Sequence, residues 1–176
     1  MAIHFNAKNI SKIAIFSAIS YIVSFFEFPL FPTAPFLKID FSNVFVLIGG
    51  FSLGPISGII ILLVKELLSM ITSQSLVVGQ VANFLIGACF ILLPTIVYKY
   101  KKGIKPVIIT LILASVIHVI AGLLANRFIN FPLYGLSSED FYSLFYVILA
   151  FNLIKAVAVS LITVILYKRV KKLFRI

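Results

Sequence analysis

The stretch FPLFPTAPFLKID, residues 28–40, lies between two strongly apolar runs and marks where the first helix of the chain must end. Its three prolines exclude a regular helix, although the segment is rich in Phe and Leu and ends in Lys38 and Asp40. At membrane depth, backbone that is not helical is tolerated only where it packs on protein or lines a cavity. We therefore expect this segment to connect two helices while packing against the rest of the protein.

The composition is that of an integral membrane protein. Of the 176 residues, 62% are hydrophobic and 11% are charged, and the mean hydropathy is +1.19. A soluble domain of this size keeps too much of its chain at the surface to bury so many apolar side chains. The net charge of +10 could indicate a nucleic-acid partner. However, the charges form short clusters between apolar runs, which is the pattern of membrane topology signals, so we expect no nucleic acid.

We predict an all-α integral membrane protein in which residues 1–176 form one domain with six transmembrane helices. The predicted helices are 9–27, 42–53, 55–73, 76–98, 106–126 and 142–167. The second is short for a span of about 20 residues, and LGPISG, residues 53–58, separates it from the third. The first apolar run lacks a small-x-small cleavage site, so we expect a retained helix rather than a signal peptide.

Basic clusters predict the orientation of this multi-pass chain. They lie at Lys8 and Lys12, between Lys99 and Lys105, and in the tail from Lys168 to Arg175. With six spans and a cytoplasmic N-terminus, all three clusters fall on the cytoplasmic side, and so does the C-terminus. The outside loops are then 28–41, 73–76 and 127–141.

Two of these outside loops are hydrophobic, aromatic and proline-bearing: residues 28–40 and NRFINFPLYGLSSED, residues 126–140. Together they suggest a cap over a ligand pocket near the outer face. Two separate interfacial loops with aromatic anchors are an equally consistent interpretation.

Polar residues inside the last three spans favour a pocket. Asn152 and Lys155 are three apart and share a helix face, and a lysine halfway along a span points inward by default. Similar faces occur in the fifth span (Ser115, His118, Gly122, Asn126) and the fourth (Gly79, Asn83, Gly87, with Gln80 at the edge). Helix packing explains the small residues. It explains Lys155 less well, because the fourth to sixth spans hold no acidic residue that could neutralise it.

Other polar residues have plainer interpretations. We expect His118 to be a satisfied packing residue, since no second histidine or carboxylate lies at metal-ligand spacing. Lys65 and Glu66 are adjacent, so we expect them to point apart rather than pair. No motif of a hydrolase, metalloprotease or nucleotide-binding enzyme is present, so we predict a protein that is not an enzyme.

Several fragments resemble one known family. Ala14 and Ala18 form an Ala-x-x-x-Ala element in the first helix, and with LGPISG and six short helices they resemble the substrate-binding S-components of energy-coupling-factor (ECF) vitamin transporters. Within that family, APFLKIDFSNV, VGQVANFLIG, NRFINFPLYG and FNLIK resemble the riboflavin-specific members. The resemblance covers essentially the whole chain.

The resemblance implies a subunit in a prokaryotic plasma membrane that captures riboflavin outside the cell. A transmembrane coupling subunit and a pair of ABC-type ATPases would then drive uptake, with the coupling subunit contacting Ala14 and Ala18. Riboflavin is the transported ligand, and no cofactor is implied. The implied ligand-binding residues are Thr33, Ala34, Phe36, Leu37, Gly79, Gln80, Asn83, Asn126, Asn152 and Lys155.

Alternatives remain open from the residues alone. The same architecture could bind another vitamin, although the thiamine-specific members rely on tryptophan and this chain has none. Flavin mononucleotide (FMN) is possible if Arg127 reaches a phosphate. A membrane assembly subunit that binds no ligand is a rival of a different class.

Overall fold

The computed structural model describes residues 6–72 and 76–174, and this part of the chain is mostly helical. The helices are α1 (Ala7–Ser24), α2 (Ser42–Leu53), α3 (Pro55–Thr72), α4 (Leu76–Tyr100), α5 (Ile104–Ala125), α6 (Phe131–Leu133), α7 (Ser138–Ser143) and α8 (Phe145–Phe174). Strands β1 (Phe28–Pro29) and β2 (Lys38–Ile39) lie between α1 and α2. Residues 73–75 of the predicted loop 73–76, the side chains of Lys171 and Lys172, and Arg175 lie outside the described part.

Four segments of the described chain are long and apolar enough to cross a membrane: Pro55–Thr72, Val78–Tyr100, Ile104–Leu133 and Phe145–Arg169. α2 is apolar but only 12 residues long. It packs against α1, α3, α4 and α8, and nine of its residues are buried. Because α2 is surrounded by protein rather than lipid, its short length leaves no polar backbone facing the hydrocarbon.

A tight turn joins α2 to α3. Gly54 has a φ of 98°, a backbone conformation that glycine adopts without strain, and its N–H donates to the Gly50 carbonyl at 2.8 Å. Pro55 then begins α3, where a missing N–H leaves no bond unmade. The two helices pack closely, since a Cβ at Gly58 would lie 3.1 Å from the Gly50 Cα.

The proline-bearing segment at 28–40 is not helical. α1 ends at Ser24, three residues before the predicted end. β1 and β2 then pair antiparallel, with Phe28 opposite Ile39. The segment between them turns its apolar side inward, and Ala34 and Leu37 are buried.

The second hydrophobic segment is helical where the sequence analysis expected a loop. A π-helical turn, Asn126–Asn130, continues α5 into α6, and α7 begins with reciprocal hydrogen bonds between Ser137 and Asp140. The expectation of a loop was wrong because Pro132 lies in the first turn of α6, where a helix tolerates proline.

Residues 28–40 and 126–143, named the cap below, pack together at the end of the bundle where α5 ends and α8 begins. Phe36 lies edge-on to Phe131, with ring centres 5.8 Å apart. Residues of both segments and of α8 share one buried apolar cluster: Ala34, Leu37, Ile39, Phe131, Phe141, Ile148 and Phe151. This packing favours a single cap over two separate interfacial loops.

Candidate functional site

A cavity of about 60 Å³ lies beneath the cap. Helices α4, α5 and α8 supply its sides, and Phe36 and Tyr134 of the cap lie over it. Their ring centres are 6.4 Å apart. The site therefore combines a polar interior with an aromatic cover, which is the usual composition of a pocket for a small organic molecule.

Two buried amides define the polar interior. The Asn126 side chain donates to the Gly122 carbonyl at 2.8 Å, and the Asn152 side chain donates to the Ile148 carbonyl at 2.8 Å. Each bond reaches back one turn within the same helix and so fixes the direction of the amide. Because an amide has two N–H groups and one carbonyl oxygen, both side chains keep further donor and acceptor capacity.

The π-helical turn extends this set of amides. Asn126 and Asn130, at its two ends, both line the cavity, and the Asn130 side chain donates to the Asn126 side-chain oxygen at 3.1 Å. Such turns recur at functional sites in other helices.

Gly122 allows α5 to approach α8 at the level of Asn152. A Cβ at residue 122 would overlap the Asn152 side-chain amide. The absence of a side chain at Gly122 therefore determines where the Asn152 amide can lie.

Lys155 is held by a partner from outside the last three spans. Its Nζ lies 2.9 Å from the Asp40 carboxylate and 3.5 Å from the Lys38 carbonyl oxygen, and both charged side chains are buried. Asp40 also accepts hydrogen bonds from the Ser42 backbone N–H and hydroxyl. Burial alone would raise the pKa of Asp40, but Lys155, Lys65 and these bonds hold it well below its usual value.

The other charges in the lining are paired as well. Lys38 lies 2.8 Å from Glu27, and both side chains are about a third exposed. With Lys155 bound to Asp40, the described lining presents no charge without a partner of opposite sign. Its electrostatics suit an uncharged polar ligand.

Seven of the ten residues implied by the resemblance line this cavity: Phe36, Leu37, Gly79, Asn83, Asn126, Asn152 and Lys155. The other three lie elsewhere. Thr33 is exposed, and Ala34 is fully buried within the apolar cluster of the cap. Gln80 faces a neighbouring cavity of about 80 Å³, which shares Glu27 and Asn83 with the first.

Seven further lining residues were not among the predicted ones: Glu27, Lys38, Ile86, His118, Asn130, Tyr134 and Phe151. A signal existed for two of them. His118 belongs to the polar arc that contains Gly122 and Asn126, and Asn130 continues that arc by one more turn. Lys38 and Tyr134 come from the cap, Glu27 immediately precedes it, and Ile86 and Phe151 are apolar, so helical spacing of polar residues could not identify these five.

Two expectations about buried polar residues were wrong. Lys65 and Glu66 do pair, at 2.7 Å, because both side chains are long enough to curve toward each other despite their adjacent positions. His118 is not a satisfied packing residue, since neither ring nitrogen has a hydrogen-bond partner within residues 6–72 and 76–174.

Two other predicted features concern the rest of the molecule. Ala14 and Ala18 are exposed on one side of α1, where small side chains would let a partner helix approach closely. Across the described ranges, no three His, Cys, Asp or Glu side chains form a group that could hold a metal ion.

Comparisons with known proteins agree with this architecture. The family described as "ECF transporter, substrate-specific component" matches residues 8–167. The riboflavin transporter RibU of Staphylococcus aureus (strain TCH60) is 37% identical over 92% of this chain and 89% of its own length. The riboflavin transporter FmnP of Bacillus subtilis (strain 168) is 30% identical over 93% and 92%.

A solved structure agrees as well. It is described as the S component of a bacterial ECF transporter and superposes with a TM-score of 0.84 at 36% identity. The superposition covers 96% of this chain and 98% of the other. The chain belongs to the substrate-specific components of ECF transporters.

Proposed function

We propose that this chain binds riboflavin in the cavity beneath the cap and delivers it for ATP-driven uptake. The family membership and the riboflavin transporters among its relatives support this function. A substrate-specific component is a binding subunit rather than an enzyme, and partner subunits hydrolyse the ATP.

One observation carries the choice of ligand: buried amides converge on a cavity that has an aromatic cover and no unpaired charge in its described lining. The pyrimidine edge of the flavin ring presents carbonyl acceptors around an N–H donor, and an amide supplies both an acceptor and a donor. Phe36 and Tyr134 would close over the bound ligand, and burial of the flat ring would provide most of the apolar stabilisation.

The charge arrangement favours riboflavin over FMN. FMN would require a cation for its phosphate, and Arg127 was the residue suggested by the sequence. The Arg127 guanidinium instead lies 5.8 Å from the centres of the Phe141 and Tyr142 rings, and Arg127 is not part of the cavity lining.

The cap would have to open for the ligand. A volume of about 60 Å³ corresponds to roughly two water molecules of about 30 Å³ each, which is less than a tricyclic ring requires. Phe36 and Tyr134 would therefore separate when riboflavin enters and close over it afterwards. Three prolines in residues 28–40 restrict the open segment and so reduce the entropy lost on closure.

The proposed assembly places residues 1–176 as one six-span domain of a prokaryotic plasma membrane, with both termini cytoplasmic and the cap outside. A transmembrane coupling subunit would dock on α1 at Ala14 and Ala18, together with a pair of ABC-type ATPases. The exposed position of these two alanines supports this docking site.

Titration of the purified protein tests the proposal. Riboflavin should bind with one site per chain and with quenching of flavin fluorescence. FMN should bind at least about tenfold more weakly, and thiamine and folate should not compete. A protein that takes up no riboflavin in this titration would contradict the proposed function.

Variants of the lining test the location. Asn152→Ala and Lys155→Ala should each weaken riboflavin binding by about tenfold or more, which corresponds to about 1.4 kcal/mol. Calorimetry measures both, and wild-type affinity in both variants would exclude this face of α8 from the site.

A further inference from the structure

His118 occupies an unusual position for a histidine in a membrane-spanning helix. It lies in the middle of α5, is 3% exposed and lines the cavity. The ring packs edge-on against Phe90, with centres 5.1 Å apart. Neither ring nitrogen has a hydrogen-bond partner anywhere in the described ranges 6–72 and 76–174.

This arrangement has a cost that packing alone does not require. Burying a polar group without a hydrogen bond costs about 1–3 kcal/mol by protein mutational data. A leucine or phenylalanine at this position would pack against Phe90 without that cost. The imidazole is therefore best explained by a partner that enters the cavity.

His118 also lies at the deep end of the cavity. It precedes Asn126 by eight residues on the same helix, so it lies about 12 Å farther from the cap along the axis of α5. Lys155 is the other basic residue of the lining that lies below the cap, and its ammonium is already bound to Asp40. At this depth, therefore, the imidazole of His118 can still donate and accept hydrogen bonds that no described residue satisfies.

Ligand orientation follows from the proposed function, on which this inference rests. The ribityl chain carries several hydroxyl groups that favour the wetter end near the cap, whereas the flat ring is largely apolar and favours the deep end. The pyrimidine edge of the ring is polar and needs hydrogen-bond partners where it is buried.

We propose that His118 binds the pyrimidine edge of the flavin ring, with its imidazole N–H donating to a ring carbonyl oxygen. A neutral imidazole has one N–H donor and one acceptor nitrogen, so the contact requires no proton transfer and no counter-ion. His118 is then a ligand-binding residue at the floor of the site, opposite the aromatic cover.

Two ligands and three variants of the full chain test this assignment. The variants are His118→Phe, His118→Gln and, as a matched control on the same helix, Ser115→Ala. The Ser115 hydroxyl bonds to the Leu111 carbonyl and lies 3.2 Å from the Ser160 hydroxyl, outside the cavity. The ligands are riboflavin and lumiflavin, which has the ring but no ribityl chain.

His118→Phe should weaken binding of both ligands by about tenfold or more, because the lost contact is on the ring that they share. His118→Gln keeps an N–H donor and should recover part of the loss. Ser115→Ala should bind like wild type. Infrared spectra of the bound flavin should show a carbonyl stretch at higher frequency in His118→Phe than in wild type, since one hydrogen bond to that carbonyl is missing.

The outcomes separate this inference from the proposed function. If wild type binds riboflavin and His118→Phe leaves affinity and carbonyl frequency unchanged, the role of His118 is wrong while riboflavin binding stands. A loss for riboflavin but not for lumiflavin would place the contact on the ribityl chain and also overturn the inference.

If His118→Phe does not fold, His118→Leu replaces it. A higher carbonyl frequency in His118→Leu, together with the wild-type frequency in His118→Gln and Ser115→Ala, would support the hydrogen bond. An unchanged frequency in His118→Leu would overturn the inference. Wild-type protein that binds neither flavin overturns the proposed function and this inference with it.

Discussion

The Asp40 carboxylate, at the end of the first cap segment, links the cap to Lys155 of α8. It binds the Lys155 ammonium at 2.9 Å and accepts the Ser42 N–H at the start of α2, and it is 5% exposed. A buried ion pair contributes little net stability when it is complete. Removing one partner, however, leaves an unpaired buried charge that costs about 3–5 kcal/mol.

Asp40→Asn should therefore destabilise the fold strongly. Asparagine keeps an acceptor oxygen for Ser42 but leaves Lys155 without its counter-charge, so the expected loss is about 3 kcal/mol or more. Glu27→Gln is the matched control, because it removes the partner of Lys38, which is about a third exposed, and it should cost no more than about 1 kcal/mol. Thermal unfolding of the purified proteins measures both, and similar melting temperatures for the two variants would contradict the prediction.

The pH dependence of this contribution has a definite sign. The pKa of Asp40 in the folded protein lies below its ordinary value of 3.8. The contribution of ionised Asp40 to folding stability is complete above pH 3.8. It decreases as the pH falls below 3.8, because the carboxylate binds a proton more tightly in the unfolded state than in the folded state. The gap in melting temperature between wild type and Asp40→Asn should narrow as the pH is lowered below 3.8. A gap that is constant down to pH 2 would contradict this linkage.

Single residues also show what spacing can and cannot predict. Asn152 and Lys155 were identified because residues three apart share a helix face. The partner of Lys155 lies 115 positions earlier in the chain, and no local pattern connects them. The Lys65–Glu66 pair was missed although the two residues are adjacent. Neighbouring residues point to different faces of a helix, but these side chains are long and flexible enough to reach each other.

At the scale of elements, the interface between α5 and α8 places the amide of Asn152. Gly122→Ala should weaken riboflavin binding by about tenfold or more, because the added methyl group would displace that amide. Gly87→Ala is a matched control, since its Cβ would meet the flexible Leu62 side chain at 3.1 Å rather than an amide of the cavity. Fluorescence titration compares the two variants, and an equal loss in both would indicate a general packing defect.

Helix α1 presents the proposed docking surface for the coupling subunit. Ala14→Leu or Ala18→Leu should leave riboflavin binding intact but reduce uptake by cells roughly tenfold, because a partner helix could no longer approach closely. Ile112→Phe adds bulk at an exposed position of α5 and should leave uptake unchanged. Loss of binding together with uptake in the α1 variants would assign these alanines to the fold instead.

Elements were predicted best where composition alone determines them. The helix predicted at 42–53 is Ser42–Leu53, and three prolines correctly excluded a helix at 28–40. The helical turns after Ala125 were missed, because Pro132 and Gly135 usually indicate a loop. In the structure Pro132 lies in the first turn of α6 and Gly135 follows its end, and both positions are compatible with a helix. The pairing of β1 with β2 depends on packing of the cap, which no short-range pattern encodes.

At the scale of the whole molecule, charge is distributed unequally between the two ends of the bundle. Four of the five acidic residues lie in or next to the cap, at Glu27, Asp40, Glu139 and Asp140. The basic residues of the described chain concentrate at the start of α1, between α4 and α5, and at the end of α8. Because cytoplasmic loops carry the excess of Lys and Arg, the cap should face the outside of the cell.

Cysteine labelling in whole cells tests this orientation and the single span proposed between α4 and the cap. Cys89 is exposed on α4, so Cys89→Ser provides the unlabelled background. In that background Glu139→Cys, within the cap, should react with a membrane-impermeant maleimide in intact cells. Lys102→Cys, between α4 and α5, should react only after the membrane is permeabilised. The opposite pattern would invert the protein. Labelling of both positions in intact cells would place them on the same side of the membrane, so an even number of spans would separate them, which contradicts the single proposed span between them.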